Sequence, residues 1–238
     1  MKKYILLSIL ILLIPITAYS WMGSIIPAGG TNAATCDYTS WDFTDNFETY
    51  VNAWWDQGAE VSGGTIAQSS AQSHTASNSI LATCSSNWQT AWVENDDAPG
   101  DEVWFQFWIY LTTSPGADDH AVVLEASPAW VLKIDDDNSF RFEFGQGTPP
   151  ADETGAVTVT LNTWTQVVGY VKTDDTNGAA WLKVGTDSKG IDNAALGDNK
   201  NAAINQIRLG CQSRGTTVVF HIDDFSYDND QEISWCSE

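Results

Sequence analysis

Four side chains in one short run are spaced to meet a ring-shaped ligand. In Val103–Leu111, VWFQFWIYL, the residues Trp104, Gln106, Trp108 and Tyr110 recur at every second position. A β-strand sends alternate side chains to opposite faces, so these four share one face. Val103, Phe105, Phe107, Ile109 and Leu111 share the other, which is the core side. Rings plus an amide are an odd choice for plain solvent but suit a sugar. Apolar C–H faces of a sugar stack on Trp and Tyr, and amides or carboxylates fix its hydroxyls. Arg141, Glu143, Gln166 and Tyr170, on neighbouring runs, are expected to extend this surface. The competing account covers the rings with a loop or second layer and makes them core. Burying Gln106, Arg141 and Glu143 without partners would then cost about 1–3 kcal/mol each.

Other chemistry-bearing residues are weaker signals. His74 and His120 are expected in loops, and His221 on the last strand, opposite in face to Ile222; each reads as a satisfied or solvated imidazole. Asp135-Asp136-Asp137-Asn138 starts like an EF-hand loop, but Gln146 stands where the bidentate Glu belongs, so the run reads as a turn. Trp88 and Trp92 alternate onto one strand face and read as edge-strand packing, and only one of the adjacent Trp54 and Trp55 can point inward. No Gly-x-Ser-x-Gly occurs.

The elements that must position these groups are strands. No stretch beyond the N-terminus has a sustained 3.6-residue apolar period, and short β-rich runs recur between Gly, Pro, Asn and Asp. Runs are expected at 79–84 and 88–93, at 129–134 and 139–144 around the Asp-rich turn, and at 162–172 and 179–184 around an Asn-Gly loop. A last pair is expected at 206–211 and 217–227, and Ala194-Ala195-Leu196 as a short helical turn at best.

Residues 1–20 carry Lys2 and Lys3, an apolar run from Ile5 to Ile16, and Ala18-Tyr19-Ser20 before Trp21, the pattern of a cleaved signal peptide. The run falls short of the roughly 20 residues a bilayer core needs, and no Cys follows it. Residues 21–35 read as a Gly/Ala/Pro-rich leader and 36–238 as a single domain. Loss of Lys2 and Lys3 takes the formal charge from −21 to −23. Phosphate binding needs a basic face, so nucleic acid is excluded as a partner, and anionic membrane surfaces with it. No membrane insertion is expected after signal cleavage. An even set of Cys36, Cys84, Cys211 and Cys236 in an exported chain reads as disulfides. Three pairings are open; Cys36–Cys236 with Cys84–Cys211 is the one expected, because the termini of a sandwich usually lie together.

The segments DNFETYVNAW, SHTASNSILAT, LNTWTQVVGYVKTDDTNGAAWLKVG, and INQIRLG followed by FHIDDFSYD carry a resemblance. Their order and spacing resemble the concanavalin A-like lectin/glucanase superfamily, especially its laminin-G-like domains and jelly-roll carbohydrate-binding modules. The resemblance implies an all-β, two-sheet antiparallel jelly-roll sandwich whose concave sheet often meets glycans. It also implies a structural calcium joining the opening and closing strands, here through Asp45, Glu48, Asp223 and Asp224, since Ca²⁺ takes carboxylate and carbonyl oxygens. Glycanases of this fold use Glu-x-Asp-x-x-Glu on one strand; Glu94-Asn95-Asp96 begins that pattern, but Pro99 occupies its last place. The Arg-rich and Gln-x-His strands of alginate-lyase-type relatives are absent. Glu125 and Glu143 remain as a fallback pair of carboxylates.

Three functions are therefore expected in order. The first is a secreted, non-catalytic carbohydrate-binding domain whose partner is a polysaccharide or glycan. The second is a glycoside hydrolase or polysaccharide lyase on the same fold. The third is a structural surface or appendage subunit.

Overall fold

The computed structural model describes residues 42–49, 55, 57–85, 88–96, 100–117, 119–144, 151–174, 178–192 and 203–229. Within these, 57–61, 151–156 and 187–192 are considered as backbone only. All lie in the compact unit Cys36–Trp235. The strands in chain order are β1 (Phe43–Asp45), β2 (Gln57–Ser62), β3 (Thr65–Ser69), β4 (Ser79–Cys84), β5 (Gln89–Asn95), β6 (Glu102–Thr113), β7 (His120–Ser127) and β8 (Trp130–Asp135). They continue with β9 (Ser139–Phe144), β10 (Ala151–Thr158), β11 (Trp164–Lys172), β12 (Ala179–Val184), β13 (Asp187–Asp192), β14 (Gln206–Ser213) and β15 (Val218–Asp228).

These strands form two antiparallel sheets. One has eight strands in the order β13-β12-β11-β6-β15-β4-β3, with β1 also paired to β15. The other has seven, in the order β10-β9-β8-β7-β14-β5-β2. The fold is the all-β jelly-roll sandwich that the strand pattern implies. The inner faces hold the core. On β6 the alternation is as expected, with Val103, Phe105, Phe107, Ile109 and Leu111 all buried against the facing sheet. Phe105 meets Trp130 and Phe142 of the seven-stranded sheet at 5.5 and 6.3 Å between ring centroids, and Phe107 meets Phe140 at 6.5 Å. Each buried Phe removes apolar surface worth about 1.5–3 kcal/mol. Gly169 on β11 lies beside Phe105 in register, and a Cβ there would fall inside the Phe105 ring. The Gly within VVGYV is thus set by the neighbouring ring.

Two expected hairpins prove to be crossovers. The runs at 79–84 and 88–93 lie in different sheets, as β4 and β5, and so do β14 and β15. The chain thus passes from one layer to the other between these strands, and each strand buries its own apolar face in the same core. The disulfide Cys84–Cys211 joins β4 to β14 and so ties one sheet to the other through the core. The bridge expected at Cys36–Cys236 and the helical turn expected at 194–196 lie outside the described residues. His120 is the first residue of β7 instead of a loop residue. No helix of the described residues is long and apolar enough to cross a membrane.

Candidate functional site: the outer face of the eight-stranded sheet

Strand register turns the alternation into a surface. Across β6 the outward residues pair with outward residues of β11 on one side and β15 on the other. The result is four rows running across the strands. The first is Asp228–Trp104–Tyr170–Trp181, which reaches β12. The second is Ser226–Gln106–Val168–Lys183, and the third Asp223–Trp108–Gln166. The fourth is Leu81–His221–Tyr110–Trp164, which begins on β4. Trp104, Trp108, Tyr110, Trp164, Tyr170 and Trp181 are all partly exposed. Their rings group at two ends: Trp104 and Tyr170 lie 4.2 Å apart, and Tyr110 and Trp164 5.5 Å apart.

Between the ring groups the face is polar. Gln106 is only 1% exposed, flanked along its strand by Trp104 and Trp108, and its Oε1 accepts a long 3.5 Å hydrogen bond from Gln166 Nε2. Tyr170 donates its hydroxyl to Glu102 Oε1 at 2.9 Å; burial first, then the Glu102 bond and charge, hold the phenol protonated well above its ordinary range. Burial pushes the His221 imidazole down, and Ser79 Oγ lies 3.0 Å from its Nδ1. Lys183 is lowered by burial too.

A loop, residues 70–78, is strapped over one end of this face by carboxylates. Asp223 Oδ2 accepts the backbone N–H of His74 at 2.8 Å and of Thr75 at 3.2 Å. Asp224 accepts from Thr75 Oγ1 at 2.6 Å and lies 2.9 Å from His74 Nδ1. Glu48 Oε1 accepts the N–H groups of Ser77 and Asn78, which hold its carboxyl below the ordinary range. The imidazole of His74 is thereby laid flat on Trp108, 3.7 Å between centroids and 14° from parallel. A β-bulge on β15 aims the two clamping aspartates: the register shifts between Asp223 and Ser226, and Asp224 sits at φ 49°. Asp223 is 0% exposed and pushed up to about 7, by burial first and then by the Asp224 charge, against the pull of its N–H donors.

These contacts bear on the calcium set that the resemblance implies. Asp45 lies at the end of β1, buried, and gives Oδ1 to Phe47 N–H and Oδ2 to Trp55 Nε1–H, each at 2.7 Å. Burial raises its carboxyl, and these two bonds oppose the rise. Glu48 follows the strand instead of lying in it. Each of the four carboxylates accepts N–H or O–H donors here, and Glu48, Asp223 and Asp224 clamp the 70–78 loop by them. Among the described residues no group of three or more His, Cys, Asp or Glu is arranged to hold a metal ion.

Six of the eight residues expected at the site share this face: Trp104, Gln106, Trp108, Tyr110, Gln166 and Tyr170. Arg141 and Glu143 do not. Both point outward from β9, but β9 belongs to the seven-stranded sheet, so the core separates them from the rings. There they join a charge ladder. Lys133 pairs with Glu143, Arg141 with Asp135 at 3.0 Å, and Arg208 with Glu94 at 2.6 Å and Glu125 at 3.5 Å. Glu125 and Glu143, the fallback carboxylate pair, both pair in register with Val131 from opposite sides, about 10 Å apart at two strand spacings. Trp55 is the inward member of its pair and packs on Phe43.

Trp164, Trp181, His74 and His221 also belong to the face. Trp164 is in phase with Gln166 and Tyr170, so alternation along β11 could have found it. Trp181 needed the β11–β12 register. His74 is brought in by a loop of no regular period, and no pattern in the sequence signals it.

No family model and no curated protein matches the chain. Solved structures do. The chain is similar to the cellulose-induced protein Cip1, with TM-score 0.61 at 14% identity over 82% of this chain and 100% of that one. It is also similar to an endo-β-1,4-glucuronan lyase from the fungus Trichoderma reesei, with TM-score 0.57 at 15% identity over 81% of this chain and 100% of that one. At such identities the likeness is one of architecture: the chain has the concanavalin A-like jelly-roll fold.

Proposed function

We propose that this protein is an exported carbohydrate-binding domain that holds a glycan on the outer face of its eight-stranded sheet. One observation carries the reading. The two outer faces differ in chemistry: one presents partly exposed Trp and Tyr rings over the buried amides of Gln106 and Gln166, and the other a ladder of ion pairs. Ring platforms with a few fixed polar groups are what a sugar surface requires. The fold neighbours support a carbohydrate role, one being described as cellulose-induced and the other as a lyase of a glucuronan. Export rests on the N-terminal pattern and fits a disulfide through the core. Affinity electrophoresis through gels cast with different polysaccharides tests the proposal. At least one gel should retard the wild-type protein, and Trp104→Ala should migrate freely there while keeping its near-UV circular dichroism. If no polysaccharide slows the wild-type protein, the proposal fails.

A second reading, cleavage of the bound chain, is favoured by one local arrangement. Two imidazoles and a phenol gather at one end of the face: His221 lies 6.2 Å from Tyr110, and His74 is held by Asp224. Such groups can remove and return protons. Release of reducing ends or unsaturated uronates during incubation would establish this reading in place of plain binding.

A further inference from the structure

Resting on the binding proposal above, we infer that the ligand is a neutral, linear polysaccharide lying along β6, gripped at two separate ring groups. Two observations carry this. The first is spacing. Trp104 and Tyr110 lie six residues apart on one strand, which at the rise of an extended chain is about 20 Å. The rings therefore form two platforms and not one pocket, with Gln106 and Gln166 buried beneath the stretch between them. A mono- or disaccharide can touch only one platform. A chain several sugars long touches both, and the second contact then forms at the high effective concentration the first supplies.

The second observation is charge. Among described side chains this face carries the partly exposed carboxyl groups of Glu102 and Asp224 and the buried ones of Asp223 and Asp228, against the ammonium groups of Lys172 and Lys183. The chain as a whole has a formal charge of −21. A polyuronate would meet like charge at long range, and the partly exposed Lys172 and Lys183 of the face already stand against the partly exposed Glu102 and Asp224. By contrast Lys133, Arg141 and Arg208 stand on the other sheet, already paired with carboxylates. Sugar hydroxyls, which accept and donate, suit the partly exposed polar groups beside the rings, the Tyr170 phenol, Glu102, Asp224 and Lys183. A ring carrying its own carboxylate does not.

Calorimetric titration of the full protein with neutral gluco-, xylo- and manno-oligosaccharides of increasing length, and with matched polyuronate oligomers, tests this. Affinity for one neutral series should climb at least about tenfold with length and level off once the oligomer spans both platforms. The matched polyuronates should bind at least about tenfold more weakly at low salt, with the gap narrowing as salt screens the repulsion. Trp104→Ala and Trp164→Ala, one at each platform, should each lower long-chain affinity about tenfold and leave the melting temperature unchanged. The length series uses wild-type protein, so it decides the matter even where a variant unfolds. Polyuronates bound as tightly as neutral chains, or affinity flat from the disaccharide upward, would overturn this inference and leave the binding proposal standing. Failure of every saccharide would overturn both.

Discussion

Buried Asp223 and half-buried His120, on different sheets of the sandwich, titrate against each other, and separating them tests the electrostatics described above. Asp223, clamping the 70–78 loop, is pushed from the ordinary carboxylate value of 3.8 to about 7. Between those pH values the folded protein holds a proton that the unfolded chain has lost, so stability falls as pH rises, by about 1.4 kcal/mol per pH unit. His120, on β7, is lowered from 6.5 to about 4, by burial first and then by Lys133, Arg214 and Arg141. Between pH 4 and 6.5 the unfolded chain holds the extra proton, so stability rises with pH at the same slope. The two slopes oppose each other from pH 4 to 6.5. Asp223→Asn removes the first, keeping an oxygen for the loop N–H groups, and should tilt the profile upward with pH by about 3 kcal/mol over that window. His120→Gln removes the second and should tilt it downward by a like amount, continuing to pH 7. Asp45 and Asp135 shift in the same sense as Asp223, and His221 in the same sense as His120; all three are common to both variants and wild type, so differences isolate the two groups. Urea unfolding at pH 4, 5, 6 and 7 supplies the free energies. Profiles of both variants running parallel to wild type would refute the reasoning.

Three further outcomes follow from packing. Gly169→Ala places a methyl inside the Phe105 ring and should destabilise by about 1–3 kcal/mol, read as a lowered melting temperature. The double variant Cys84→Ala/Cys211→Ala releases a crosslink between residues 127 apart; chain entropy gives a loss of about 4–5 kcal/mol, read as a drop in urea midpoint with a steeper slope, since the uncrosslinked unfolded chain exposes more surface. His74→Ala removes the ring lying on Trp108 and should raise quenching of Trp fluorescence by acrylamide, since a face of that indole opens to solvent.

How much of this was legible in the chain follows from the range of the forces involved. Alternation is local, so VWFQFWIYL yielded both the core face and the ring face of β6, and the strands at 79–84, 139–144 and 179–184 appear with the bounds expected. Sheet membership is not local. Nothing in SFRFEF says which layer it joins, and so Arg141 and Glu143 were expected beside rings that the core separates from them. Short connections after β4 and β14 suggested hairpins for the same reason, although the chain changes layers there. The aspartates of β15 were legible as a cluster but not as a clamp, because their partners are N–H groups of a loop about 150 residues away in sequence. β7 was missed because its outward positions are mixed and its first residue, His120, follows a run of turn formers.

The central claim is that a sugar lies on one outer face and leaves the other bare. Indole N–H resonances of the wild-type protein, followed by NMR during titration with the polysaccharide that binds best, test it residue by residue. The account predicts that Trp104, Trp164 and Trp181 shift, while the buried Trp55, Trp92 and Trp130 and the turn residue Trp88, just before β5, stay still. Movement of Trp88, 57% exposed beside Arg214, or of Trp92, with the Trp104 and Trp164 signals unchanged, would contradict it.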